Sequence, residues 1–199
     1  MQLHNLFPIP VGFAELGRPL SDEELFFIRE LPTRPNMGNT TSTNNFVLRD
    51  SALTSLRSFI EDSVSDYFKN TVNPKHNVSL RVTQSWCNYS EPGQYHHKHA
   101  HPNSLVSGVF YINCDDKFDK IKFFNDKYKT IKPEIKDWNL YNSESWWFTV
   151  KTGDIILFPS SLTHMVENKE GTNTRISLAF NVFIKGNIGN NKNLTELVL

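Results

Sequence analysis

The chain has 199 residues, with 21 lysines and arginines against 21 aspartates and glutamates. A length of this order fits one domain with a substantial core, and the balanced charge leaves no global field to draw in nucleic acid or an anionic membrane. Two cysteines, Cys87 and Cys114, sit in apolar contexts without metal-type spacing, which fits a reducing compartment such as the cytoplasm better than a disulfide scaffold.

The first 20 residues mix apolar side chains with Pro8, Pro10 and Pro19, a pattern for an extended edge segment and not for a helix. No basic stretch followed by an apolar run opens the chain, and no segment approaches the roughly 18 apolar residues of a membrane span. Ser21 and Glu24 form a capping box ahead of a short helix through Leu25, Ile28 and Leu31, ended by Pro32 and Pro35. Residues 36–45, rich in Asn, Thr and Ser, read as an exposed connecting loop. From Asp50 to about Val72, Leu53, Leu56, Ile60, Val64, Tyr67 and Phe68 recur at spacings of three and four, which predicts an amphipathic helix.

After Pro74 the pattern changes to short extended runs separated by turn residues. These are 80–89, 94–101, 105–113, 120–124, 145–150, 154–158, 163–167 and 175–184. Eight short antiparallel strands suit a jelly roll, a cupin-like barrel of two sheets, with the helices packed on one of them. The expected organisation is therefore one mainly β domain over 1–199, with a helical part at about 1–75 and a β core at about 78–185. Residues 125–144 form an insertion between strands, where Trp138 and Tyr141 are candidates for a substrate-facing wall. Trp146, Trp147 and Phe148 are expected to be core, with Trp86 and Phe110 in the barrel.

The segment 95–113 concentrates chemistry: four of the seven histidines fall at His96, His97, His99 and His101. On a regular strand, His97, His99 and His101 point one way, and His96, Lys98 and Ala100 the other. Neutral imidazole is a common ligand for transition metals, so the stretch reads either as half of a metal site or as a His-rich surface strand. Further on, a turn, the buried run Asp154–Phe158 and Pro159 deliver His164 to the next strand. Arg175 then opens another apolar strand, sharing a face with Ser177, and a buried guanidinium needs an anion, either a ligand or one of the chain's own acids.

Taken in order, His-x-His, the Ser-Gly-Val-Phe-Tyr strand at 107–111, Gly-Asp-Ile-Ile-Leu-Phe-Pro-Ser at 153–160, His164 and Arg-x-Ser at 175–177 resemble the iron(II)- and 2-oxoglutarate-dependent oxygenases. More narrowly, they resemble a small branch found in phages and marine bacteria. The resemblance spans roughly residues 80–184 and implies a double-stranded β-helix, the jelly-roll form reached above. It implies iron(II), 2-oxoglutarate as cosubstrate, molecular oxygen, and oxidation of an unidentified small molecule or protein side chain, with no catalytic side chain beyond the metal site. It also implies a cytoplasmic protein, in the host cytoplasm if phage-encoded.

Residue by residue, the resemblance makes His99 the first metal ligand and His164 the distal one. Arg175 and Ser177, with Tyr89, correspond to residues that hold the far carboxylate of 2-oxoglutarate. At position 101 the pattern expects aspartate or glutamate, and this chain has histidine. Three arrangements are open: His101 completes a three-histidine site; His97 and His99 ligate, with His101 outside; or a carboxylate such as Glu91 enters the sphere. The first is adopted here. Two other functions compete, a cupin-like metal-binding or structural protein without turnover, and a three-histidine iron dioxygenase that does not use 2-oxoglutarate. Arg175 discriminates, because a site that only binds metal needs no such anchor.

Overall fold

The computed structural model describes residues 1–75, 78–126 and 131–199; residues 127–130, within the expected insertion, lie outside them. In chain order the elements are β1 (Gly12–Glu15), α1 (Asp22–Arg29), β2 (Thr33–Asn36), β3 (Asn39–Ser42), α2 (Thr54–Thr71), β4 (Val78–Ser90), β5 (His96–His99), β6 (Val106–Asn113), β7 (Lys120–Phe124), β8 (Ser145–Thr149), β9 (Asp154–Pro159), β10 (His164–Val166), β11 (Arg175–Ile188) and β12 (Leu197–Val198). Two short 3-10 turns precede α2. No described helix is long and apolar enough to cross a membrane.

The strands form two antiparallel sheets. The larger runs β1-β9-β6-β11-β4-β3-β2, with β12 on β11, and the smaller runs β5-β10-β7-β8. The four central strands of the first, β9, β6, β11 and β4, face the four of the second, so the eight expected strands make the double-stranded β-helix.

Alternation on the large sheet separates two cores. Phe110, Ile112, Leu178 and Phe180 point outward and pack against Ile28 of α1 and Leu56, Ile60 and Val64 of α2. Val109, Tyr111, Ile156 and Phe158 point inward against Ile121 and Phe123 of the small sheet. Phe110 therefore belongs to the helix-facing layer and not to the barrel interior. The capping box forms as read: Glu24 N–H donates to Ser21 Oγ (3.1 Å) and Ser21 N–H to Glu24 Oε2 (2.8 Å). Arg18 adds a bidentate pair to the same carboxylate, holding it below the usual carboxylate range.

Two expectations fail for tertiary reasons. Residues 33–42 form a β-hairpin and not a loop, because Thr40 and Thr41 pair with Tyr89 and Asn88 of β4, and Gly38 at φ +85° makes the turn. Polar β3 has little reason to be a strand until that edge is present. Trp146 and Trp147 are 37% and 49% exposed, because β8 is the outer strand of the small sheet. Of that trio only Phe148 packs against the interior. Trp138 and Tyr141 are also exposed, and they line grooves at the β8 edge, away from the histidine cluster.

Candidate active site

Four strands converge on one pocket, lined by Asn88 of β4, His96 and His99 of β5, His164 of β10, and Arg175 and Ser177 of β11, with His101 just past the end of β5. The pairing of β5 with β10 decides which histidines enter. His164 pairs with His99 and Val166 with His96, so three steps on β5 oppose two on β10. This bulge breaks the alternation expected on a regular strand and turns His96 inward together with His99.

His101 is positioned from outside the strand. Its N–H donates to the Ser160 carbonyl (2.9 Å), and the Ser160 hydroxyl joins Ser104 and Ser107 (2.8 Å each). Ser107 in turn donates to Asn181 Oδ1 (2.9 Å). These buried hydroxyls fix the loop after β9 against β6 and β11, and with it the backbone that carries His101. Ser107 and Ser160 lie in the motifs read from the sequence, but their part in placing His101 shows only once the strands are paired.

The rings of His99 and His164 lie 4.4 Å apart, His99 and His101 4.9 Å, and His101 and His164 5.2 Å. One ring nitrogen from each of the three falls within 4.8 Å of the others. Nδ1 of His99 sits 2.7 Å from the His97 carbonyl and Nδ1 of His164 3.0 Å from the Leu162 carbonyl. Both contacts suit an Nδ1–H tautomer, leaving Nε2 as the lone-pair nitrogen. Burial pushes His164 down to about 3 and His101 to about 4, and neighbouring imidazoles add to the effect. All are therefore neutral at pH 7, the form that ligates. Three neutral nitrogens converging with nothing between them fit a first-row transition metal.

His96, His97 and His99 form a second such group, which lacks His164. No carboxylate joins either group among the described residues. Glu91 lies outside, with both its oxygens taken by the Thr174 hydroxyl (2.9 and 3.0 Å).

Arg175 opens β11 and is 3% exposed. Its Nη1 donates to the Lys120 carbonyl (3.2 Å), its guanidinium lies 5.3 Å from the centre of the Tyr111 ring, and its Nε is buried without a partner. It makes no ion pair among the described residues. Beside it the Tyr111 hydroxyl is fully buried without a well-formed hydrogen bond, and burial raises its pKa. Ser177 is directly across from both Tyr111 and Asn88. A buried guanidinium and a buried phenol, both incompletely satisfied, fit the carboxylate of a ligand.

Tyr89 does not reach this pocket. It pairs with Ile176 on β11, so its side chain points to the helical layer, where its hydroxyl donates to the Ile28 carbonyl at the end of α1. Position 89 falls on the wrong side of the alternation, since Asn88 and Trp86 take the pocket face. The tyrosine that does sit beside Arg175 is Tyr111, and the alternation of 105–113 against 175–184 would have pointed to it had the pairing been known.

Residues 84–181 match the model of the family described as "Putative 2OG-Fe(II) oxygenase". No curated protein matches the chain. Among solved structures, HygX from Streptomyces hygroscopicus, with nickel and 2-oxoglutarate bound, is similar at TM-score 0.59 and 13% identity, covering 87% of this chain and 82% of that one. A Pseudomonas putida prolyl-4-hydroxylase is similar at TM-score 0.55 and 13% identity, covering 87% and 92%. A 2OG-Fe(II) oxygenase family oxidoreductase from Burkholderia pseudomallei is similar at TM-score 0.55 and 12% identity, covering 79% and 74%. At these identities the structural likenesses show the fold, and the family match rests on the sequence that carries every residue of the pocket. Residues 84–181, just under half of the chain, thus resemble the iron(II)- and 2-oxoglutarate-dependent oxygenases.

Proposed function

We propose that the whole chain works as a single dioxygenase domain, coupling decarboxylation of 2-oxoglutarate to oxidation of a small molecule or protein side chain. In this reading His99, His101 and His164 hold iron(II), and Arg175, with Ser177 and Tyr111, holds the distal carboxylate of 2-oxoglutarate. The observation that carries it is Arg175. A guanidinium this buried, with no carboxylate partner in the described chain, is a costly arrangement that a dianionic ligand relieves.

Iron and 2-oxoglutarate, when bound, supply the oxidising chemistry. The chain's own residues do the rest. The backbone carbonyls at 97 and 162 fix the His99 and His164 rings, Ser160 holds the His101 loop, and burial keeps the ligand nitrogens unprotonated. Val109, Ile121, Val166 and Ala179 close the remaining wall with apolar surface that excludes water. No side chain needs to act as a general base. Both cysteines are free thiols, so a reducing interior such as the cytoplasm is the proposed compartment.

Anaerobic protein mixed with iron(II) and 2-oxoglutarate should develop a visible metal-to-ligand charge-transfer band, and Arg175→Ala should lose most of it. No band in the wild type, or an unchanged band in the variant, would end the cosubstrate assignment. The three-histidine ligand set also suits an iron dioxygenase that uses no 2-oxoglutarate. Succinate formed in step with oxygen uptake separates the two.

A further inference from the structure

The histidine at 101 changes the charge of the pocket. Its lining residues include four uncharged imidazoles and, among the described residues, no aspartate or glutamate; Arg175 is the one charged side chain. Acids elsewhere on these strands and loops are engaged: Glu91 by Thr174, Asp126 by Lys98, Glu167 by Lys122. A divalent ion on His99, His101 and His164 would keep its full charge of two. One carboxylate of 2-oxoglutarate answers Arg175 and the other answers half of the ion. One positive charge is left at the ion, in surroundings where water screens it poorly. A carboxylate at position 101 would cancel it, and this chain has none.

Beside that surplus charge stands one imidazole, His96, for which the metal site has no use. His96 stacks on His99 with ring centres 4.8 Å apart and lines the pocket. The His97 ring is 4.7 Å from that of His99, and its Nδ1 is buried without a partner. One ring nitrogen from each of His96, His97 and His99 lies within 4.8 Å of the others. Each neutral imidazole has one N–H to donate. Such a donor on His96, next to an uncompensated cation, forms a site for a second anion.

Resting on the iron and 2-oxoglutarate reading above, we propose that the pocket recognises a carboxylate carried by the substrate, seated beside the metal and hydrogen-bonded by His96. The substrate class is a carboxylic acid, free or at a peptide C-terminus, and the substrate supplies the negative charge that the protein lacks at position 101. A free halide would satisfy the same charge, so the experiment separates the two sources.

The anaerobic iron(II) and 2-oxoglutarate complex is titrated with acetate, acetamide and chloride while the charge-transfer band is followed. Acetate should shift the band and bind about tenfold or more tightly than either acetamide or chloride, the attraction that remains after the carboxylate's own desolvation. Acetate at its own site should weaken 2-oxoglutarate binding only to a saturating limit, because the two anions share one cation and can be bound together. In His101→Asp, which restores the missing charge, the preference for acetate over acetamide should fall below about threefold. If that variant forms no band, the wild-type series decides alone.

Equal responses to acetate and acetamide, with the band present, overturn the proposal and leave the parent reading standing. Chloride matching acetate overturns the assignment to a substrate carboxylate. Acetate that weakens 2-oxoglutarate binding without limit as its concentration rises is competing at Arg175 and overturns it as well. A wild-type protein without the band overturns the parent reading, and this proposal with it.

Discussion

Replacing Arg175 by methionine separates what the residue costs the fold from what it gives the site. Methionine fills a similar volume and carries no charge. In the free protein the exchange loses one hydrogen bond, from Nη1 to the Lys120 carbonyl, worth about 1 kcal/mol. It also removes a buried guanidinium that has no ion-pair partner and an unsatisfied Nε. Exchanging buried ionic groups for apolar ones is neutral or stabilising by about 1–4 kcal/mol. The net expectation runs from about 1 kcal/mol less stable than the wild type to about 3 kcal/mol more stable, which for a chain of this size moves Tm between a fall of about 4 °C and a rise of about 12 °C. Binding of 2-oxoglutarate should move the other way. Loss of a buried charged hydrogen-bond partner costs about 2–5 kcal/mol, roughly thirtyfold to several thousandfold in affinity. Thermal unfolding of the metal-free protein and a 2-oxoglutarate titration of the metal-loaded protein read the two effects. A variant destabilised by more than about 2 kcal/mol that still binds 2-oxoglutarate normally would show Arg175 to be a structural residue, and the argument from its missing anion would be wrong.

Burial, helped by neighbouring imidazoles, depresses His96 and His164 to about 3 and His101 to about 4, whereas in the unfolded chain they titrate near 6.5. Below pH 6.5 the unfolded state binds protons that the folded state refuses, so the metal-free protein should lose up to about 1.4 kcal/mol per pH unit for each of the three as pH falls toward 4, and show no dependence from these groups above 6.5. Urea midpoints between pH 7.5 and 4.5 measure this, and constant stability down to pH 5 rules it out. Tyr89→Phe should cost about 1 kcal/mol of stability through the lost bond to Ile28 and leave 2-oxoglutarate affinity unchanged. Tyr111→Phe should do the reverse, sparing the fold and weakening the cosubstrate; equal effects of the two on binding would contradict the assignment of faces. Gly108→Ala should destabilise by about 1–3 kcal/mol, because the new methyl would lie 2.2 Å from Phe180 Cζ and 2.7 Å from Leu157 Cδ2, and chemical denaturation checks it.

What was legible in the chain is what short-range physics decides. The capping box at Ser21, the stripe along α2 and the eight strand runs each follow from spacing within a few residues, and all appear where they were read. His99, His101, His164 and Arg175 were chosen by motif order and are brought together in one pocket. The errors lie where a partner far along the chain makes the choice. The hairpin at 33–42 exists because β4 offers it an edge. His96 faces inward because β10 is one residue shorter than β5 across their pairing. Tyr89 and Tyr111 both precede or follow plausible pocket positions, and only the register of β11 against β4 and β6 says which of them faces Arg175. Trp146 and Trp147 read as core from their type, but an outer strand has no neighbour to cover them.

The placing of β11 bears on how the protein is made. This strand lies between β4 and β6 and pairs with both along most of its length, yet it begins at residue 175. Until it leaves the ribosome, β4 can pair only with the hairpin edge, and the inner edge of β6 stays open. Ile112, Phe110 and Cys87 then have no completed surface on which the helices can settle. A nascent chain of some 170 residues thus carries all of the metal-site histidines and no assembled pocket, with two apolar strand edges free to pair with other chains. Synthesis slowed just before residue 175 would therefore yield aggregate, and β11 is the segment whose arrival converts a collection of strands into an enzyme.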